Sequence, residues 1–330
     1  MENSPVPPLR LIAQRSFVLF WLTRVFATTG YQMLALLIGW QIYSLTGSAF
    51  DLGLVGLIQF VPAVVLTLAI GHAADRYDRR SIVRLAQAVY ALAALIVTVA
   101  LIAGVLSRGL LFATVFMIGC ARAFEMPTGH SLVPSLVPAK LLSRAVAAWA
   151  AANQVAVISG PAIGGFIYVL NPVVVGAVCA AFFTASVVLV TFVRPQGQPA
   201  RREPPTLRSA LIGFDFIRHR PRLLGVISLD LFVVLLGGAT ALLPVYAKDI
   251  LDSGPIGLGL LRSAPAIGAL ITTVALSHYP VERHIGMTMF AATATFGLAT
   301  AVFGLSTWMP LSMLALAVPA SPPRRLRQLS

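Results

Sequence analysis

The sequence predicts an all-α, multi-pass membrane protein, and three observations carry that prediction. Of the 330 residues, 58% are hydrophobic and only 11% charged, with a mean hydropathy of +0.88. A soluble domain is about 45–50% apolar and about 25% charged, so this chain cannot cover a water-facing surface. Its apolar residues come in runs close to the roughly 20 that a helix needs to cross a hydrocarbon core. Its basic residues, 24 against 11 acidic, gather in every second connection between those runs.

Taken in order, the runs place spans at 17–43, 51–71, 82–105, 110–128, 145–169, 172–193, 223–247, 255–276 and 286–306, with part of a tenth from Pro310. Each must be a helix, because an unpaired backbone amide in lipid costs several kcal/mol. The connections Ser44–Phe50, Asn171–Pro172 and Ser306–Pro310 are uncharged, and Ser107–Gly109 holds only Arg108. The alternate connections hold Arg76, Arg79, Arg80 and Arg84, then Lys140 and Arg144. Positive charge stays on the cytoplasmic side, so those loops and the N-terminus are expected there. The net charge of +13 is thus explained by topology. No aromatic-interleaved basic face accompanies it, and nucleic acid is excluded as a partner.

Residues 1–16 read as a cytoplasmic N-terminus without a cleavage pattern, and 17–193 as a six-helix bundle. Residues 194–222 carry seven arginines against Glu203 and Asp215, with five prolines, and read as a basic cytoplasmic linker. Residues 223–318 then form a second, incomplete bundle. A weak internal repeat supports the division. Tyr43, Gly56, Leu57, Pro62 and Ala63 recur as Tyr246, Gly259, Leu260, Pro265 and Ala266, all 203 residues later. By that repeat the second bundle should continue well past Ser330. The Pro- and Arg-rich residues 319–330 cannot continue a membrane helix, since the prolines break it and arginines are costly in lipid. The expectation is a frameshift or premature stop with two and a half helices lost. A naturally short transporter is the alternative.

Three stretches resemble the major facilitator superfamily, covering almost everything from Phe17 to Val318. Gly71, Asp75, Arg76, Arg79 and Arg80 match the loop signature G-x-x-x-D-R-x-x-R-R between its second and third helices. The resemblance implies a gating latch whose aspartate meets the eleventh helix. Gly160, Pro161, Gly164 and Gly165 are similar to the antiporter motif of the fifth helix, which implies export. Arg122 resembles an intramembrane arginine of the fourth helix, although Met126 stands where a glycine is usual. Asp51–Gly56, Asp230–Phe232 and Gly237–Gly238 are similar to the secretion-effector branch that includes the enterobactin exporter. The resemblance implies a major facilitator fold, a C-terminally truncated chain and a bacterial inner-membrane location.

Ionisable residues inside spans are costly, and so are functional candidates. These are Arg24 in the first span, Arg122 and Glu125 in the fourth and Asp230 in the seventh, all proton-coupling candidates. Arg122 and Glu125 stand at i, i+3, close enough to pair on one helix face. Arg24 could instead snorkel to the inner surface. Tyr31, Gln32, Gln41, Asn153 and Gln154 are polar within apolar helices and are cavity candidates, interhelical hydrogen bonding being their alternative role.

The function expected is proton-coupled efflux of a small organic molecule, drug- or siderophore-like, by a monomer through alternating access, impaired in this truncated chain. Its partners are the bilayer, protons and the substrate. An importer of the same fold and an inactive remnant of a broken gene are the alternatives. A membrane enzyme would need a nucleophile–base pair or metal cluster. Cys120 and Cys179 lie alone in apolar runs and the five histidines are scattered, so no metal, cofactor or catalytic residue is expected.

Overall fold

The computed structural model describes residues 11–66, 77–194, 237–278 and 285–318, with isolated positions between 220 and 228. The described chain is helical throughout. Helices α1 (Arg15–Thr46), α2 (Ala49–Val65), α3 (Arg79–Ile102), α4 (Arg108–Leu132), α5 (Leu142–Leu170) and α6 (Pro172–Thr191) follow the first six predicted spans. A run of short helical turns occupies Gly237–Ile250, and α7 (Gly254–His278), α8 (Ile285–Leu305) and α9 (Met309–Leu316) complete the set. The eight-residue α9 is the partial tenth span. Residues 223, 226, 227 and 229–236 of the seventh predicted span, nearly all of the linker and the Pro/Arg-rich end lie outside the described residues.

Local chemistry sets several boundaries. Thr46 ends α1 because Gly47 turns left-handed at φ 60°, where a side chain would be strained, and its amide donates to Tyr43 O at 2.9 Å. Asp78 caps α3, accepting from the Arg80 amide at 3.3 Å, and Ser107 caps α4 through the Leu110 amide at 3.3 Å. Pro62, Pro127, Pro161 and Pro265 sit inside helices, which neighbouring helices make tolerable in membrane proteins. The repeat thus places its proline inside both α2 and α7. Among the described residues, five helical stretches are long and apolar enough to cross a membrane: Arg79–Ile102, Arg108–Leu136, Ala139–Leu170, Pro172–Thr191 and Gly254–Val274. Their outward faces carry exposed Leu92, Val99, Phe116, Phe166 and Val188, a surface suited to lipid.

The contacts divide the chain into two compact units. The first holds α1 up to Leu34, α2 from Val55, α3, α4, α5 up to Ala156, and α6. Its core packs Phe17, Phe20, Val83, Leu132, Leu136 and Trp149. The second holds Ala35–Leu54, Val157–Pro172 and the described chain from 206 onward. Its core packs Leu36, Leu243, Leu258, Leu261, Phe303 and Ala315.

Candidate transport site

In the first unit, three helices bring three polar residues to one buried point. Helix α1 carries Arg24 and α4 carries Glu125, their side chains only 11% and 10% exposed. Arg24 Nη1 donates to Glu125 Oε1 at 3.1 Å, and Nη2 donates to Asn153 Oδ1 of α5 at 2.7 Å. The guanidinium carbon also stands 5.0 Å from the centre of the Trp149 ring, one turn before Asn153. Trp149 is held in turn by Phe20, stacked at 4.8 Å and 11°, and by the edge of His130 at 6.2 Å. The Trp21 indole, donating to Ala148 O at 3.0 Å, ties α1 to α5 beside them. Arg24 therefore does not snorkel. Burial alone would make either charge prohibitive, and each offsets the other.

The carboxylate of Glu125 turns to α1 and not to its sequence neighbour Arg122. Arg122 instead lays its guanidinium 4.3 Å from the centre of the Tyr31 ring, which packs at 6.4 Å from Tyr90, itself 5.2 Å from Phe183. Around this site some buried polar atoms have no partner among the described residues: Arg24 Nε, both amide atoms of Gln87 and Thr128 Oγ1. Gln87 is fully buried on α3, one turn before Tyr90. An unmet buried group costs about 1–3 kcal/mol, so such atoms concentrate where a structure does something besides fold.

The remaining candidates fall elsewhere. Asp230, Gly71, Asp75 and Arg76 lie outside the described residues. Arg79 and Arg80 are helix caps: Arg79 Nη1 donates to Ser131 O at 3.2 Å in the last turn of α4, and Arg80 Nη1 to Val193 O at 2.9 Å just beyond α6. Both meet unpaired carbonyls at the negative end of a helix dipole. Gln32 and Gln154 are half-buried on α1 and α5. In the second unit, Gln41 Nε2 donates to the Tyr168 hydroxyl at 2.8 Å, and Tyr168 also meets the edge of Trp40.

Within the second unit the Gly160–Gly165 stretch is a helix crossing. A Cβ on Gly165 would strike the Pro255 carbonyl and stand 3.3 Å from Gly259 Cα, and one on Gly259 would strike the Pro161 carbonyl. Helices α5 and α7 thus touch backbone to backbone, and Ser263 Oγ locks the crossing by donating to Ile158 O at 2.6 Å. Nearby, the Tyr43 hydroxyl donates to the Asp249 carboxylate, and Lys248 Nζ lies 5.5 Å from the Tyr43 ring centre. Sequence reasoning missed Lys248, Asp249 and Gln87. For Gln87 the signal was there, a lone amide in an apolar helix.

The profile described as transmembrane secretion effector matches residues 3–321. The chain belongs to that family. As a secretion-effector protein it has the major facilitator fold, is multi-pass in the membrane, and sits in a transporter rather than an enzyme family. It is 24% identical over 231 residues to macrolide efflux protein A of Streptococcus pyogenes, a match covering 68% of this chain and 57% of that protein. To the multidrug efflux pump Tap of Mycolicibacterium fortuitum it is 27% identical over 295 residues, covering 84% of this chain and 71% of the pump. Its fold is similar to a bacterial homologue of the lysosomal transporter Spinster in an inward-facing, unoccupied conformation. That likeness has a TM-score of 0.69 at 16% identity, over 95% of this chain and 73% of the other.

Proposed function

We propose that this secretion-effector protein exports a small organic molecule across the cytoplasmic membrane in exchange for protons. The observation that carries the proposal is the buried Arg24–Glu125 pair, clamped by Asn153 and Trp149. In this reading Glu125 is the proton carrier. Protonating it removes the charge that holds Arg24, so the two protonation states favour different arrangements of α1, α4 and α5. Deprotonation restores the pair. Asp230, a proton candidate from its place in the seventh predicted span, is the proposed second carboxylate.

The small-residue crossing of α5 and α7 is the proposed seam at which the protein rocks, and the loop around Arg79 and Arg80 its proposed cytoplasmic latch. The N-terminus is proposed to be cytoplasmic and the working unit a monomer. The efflux relatives support export over import, and their names support drug-like substrates.

Everted membrane vesicles with an acid lumen test this, using radiolabelled erythromycin as probe for macrolides. Accumulation that a protonophore collapses and Glu125→Gln abolishes is the expected result. Accumulation only in right-side-out vesicles with acid outside would make the protein an importer, and accumulation indifferent to the gradient would remove the proton.

A further inference from the structure

A second feature of the first unit lies outside the Arg24–Glu125 pair. Helices α2 and α4 touch at Gly119, where a Cβ would come 2.9 Å from Gln59 O and 3.1 Å from Gln59 Cα. Around that contact the two helices line an open cavity of about 460 Å³. Gly56, Gln59 and Phe60 of α2 line one wall, and Gly119, Arg122 and Met126 of α4 the other. A volume of this size suits a drug-sized ligand or a large part of one.

The charge of the cavity is the decisive observation. Arg122 is half-buried and has Tyr31 against one face of its guanidinium, at 4.3 Å. Among the described residues no carboxylate pairs with it, and the acid nearest in sequence, Glu125, is taken by Arg24. Tyr31 backs the guanidinium carbon at that distance, and a guanidinium's N–H fork is the geometry that receives a carboxylate. A cation in a membrane-spanning helix is costly until an anion joins it. Gln59 adds an amide donor and acceptor, while Phe60 and Met126 offer an aromatic and a polarisable apolar surface.

We propose that this cavity is a substrate subsite for amphipathic organic anions, with Arg122 receiving the carboxylate and the α2 wall the apolar body. The assignment rests on the export reading for its purpose, since it names the class of molecule carried. It predicts that acidic amphiphiles are preferred over neutral ones of the same shape.

The test is binding, read without any gradient, so that a failed export assay and a failed subsite are separate results. The full chain is placed in nanodiscs of zwitterionic lipid and titrated with tritiated pyrenebutyrate or its methyl ester, with excess unlabelled ligand defining the saturable part. The carboxylate should bind about tenfold or more tightly than the ester, and Arg122→Gln should bring it down to the ester's level. Arg122→Lys should recover part of the loss, because it restores the charge without the fork. Gly56→Leu, whose added side chain enters the cavity from a wall where a Cβ meets nothing within 4 Å, should block binding without touching Arg122.

Equal affinity for acid and ester, no saturable binding to folded chain, or an unchanged Arg122→Gln variant would overturn the assignment. Displacement of pyrenebutyrate by phosphatidylglycerol added to the nanodiscs would overturn it too, giving the cavity to a lipid headgroup. Thermal melting of each variant distinguishes lost binding from lost fold.

Discussion

Arg24 is held by three different interactions at once: an ion pair, a hydrogen bond to a neutral amide and an aromatic face. Removing Glu125 alone leaves a buried, uncompensated cation, which costs about 3–5 kcal/mol. Replacing both charges by leucine removes that problem, because an apolar pair of similar volume is often neutral or better. Glu125→Leu should therefore lower the melting temperature in detergent, and the Arg24→Leu, Glu125→Leu double variant should recover it. Proton-driven transport should stay absent in both. If the double variant regains transport with its stability, the pair is structural and the proton reading fails. None of this clamp could be read from spacing, since its partners are 101 and 129 residues from Arg24. Spacing pointed to Arg122 as the partner of Glu125, because i, i+3 neighbours on a helix can always meet. Arg24 takes the carboxylate from across the helix contact, while Arg122 turns to the Tyr31 ring. Arg24, Glu125 and Asn153 could be picked out in the sequence as polar residues in apolar spans, but not their pairing.

At the scale of elements, the crossing of α5 and α7 depends on having no side chain at two positions. Gly165→Ala forces a methyl into the Pro255 carbonyl, and Gly259→Val does the same to Pro161. Overpacking of this kind costs about 1–3 kcal/mol. Gly109 and Gly297 have open space where a Cβ would go, so Ala there should leave the melting temperature unchanged or raise it slightly through helix propensity. Melting curves of the four variants check the contrast. The helices themselves followed closely from apolar run length, with most α1–α6 ends two to four residues from the predicted ones, because hydrocarbon thickness sets that length. Caps account for the difference at the starts of α3 and α4, where Asp78 and Ser107 draw the helix outward of the apolar run. Arg79 and Arg80 of the loop motif show the opposite case. Their motif was legible, but only the structure reveals that Arg79 and Arg80 bind the last carbonyls of other helices. Arg80→Ala should therefore cost about 1 kcal/mol or slightly more in stability, and melting curves would show it.

For the whole molecule, alternation of charged and uncharged connections predicts which loops face which side. After replacing Cys120 and Cys179, a cysteine at exposed Val105 should react with an impermeant maleimide in intact cells. One at exposed Ala139, beside Lys140, should react only after permeabilisation. The reverse pattern would invert the topology and, with it, the proposed direction of transport.

The contact between Arg24 and Trp149 also gives the protein an intrinsic ultraviolet reporter. An indole's emission shifts with the electric field across its ring, and a guanidinium 5.0 Å from the ring centre is a strong local source of field. With only four tryptophans in the chain, the difference between wild type and Trp149→Phe isolates that one ring. Its emission should differ between wild type and Glu125→Gln, which removes the charge that pairs with the guanidinium. The pair would then report its own state as light, with no label attached.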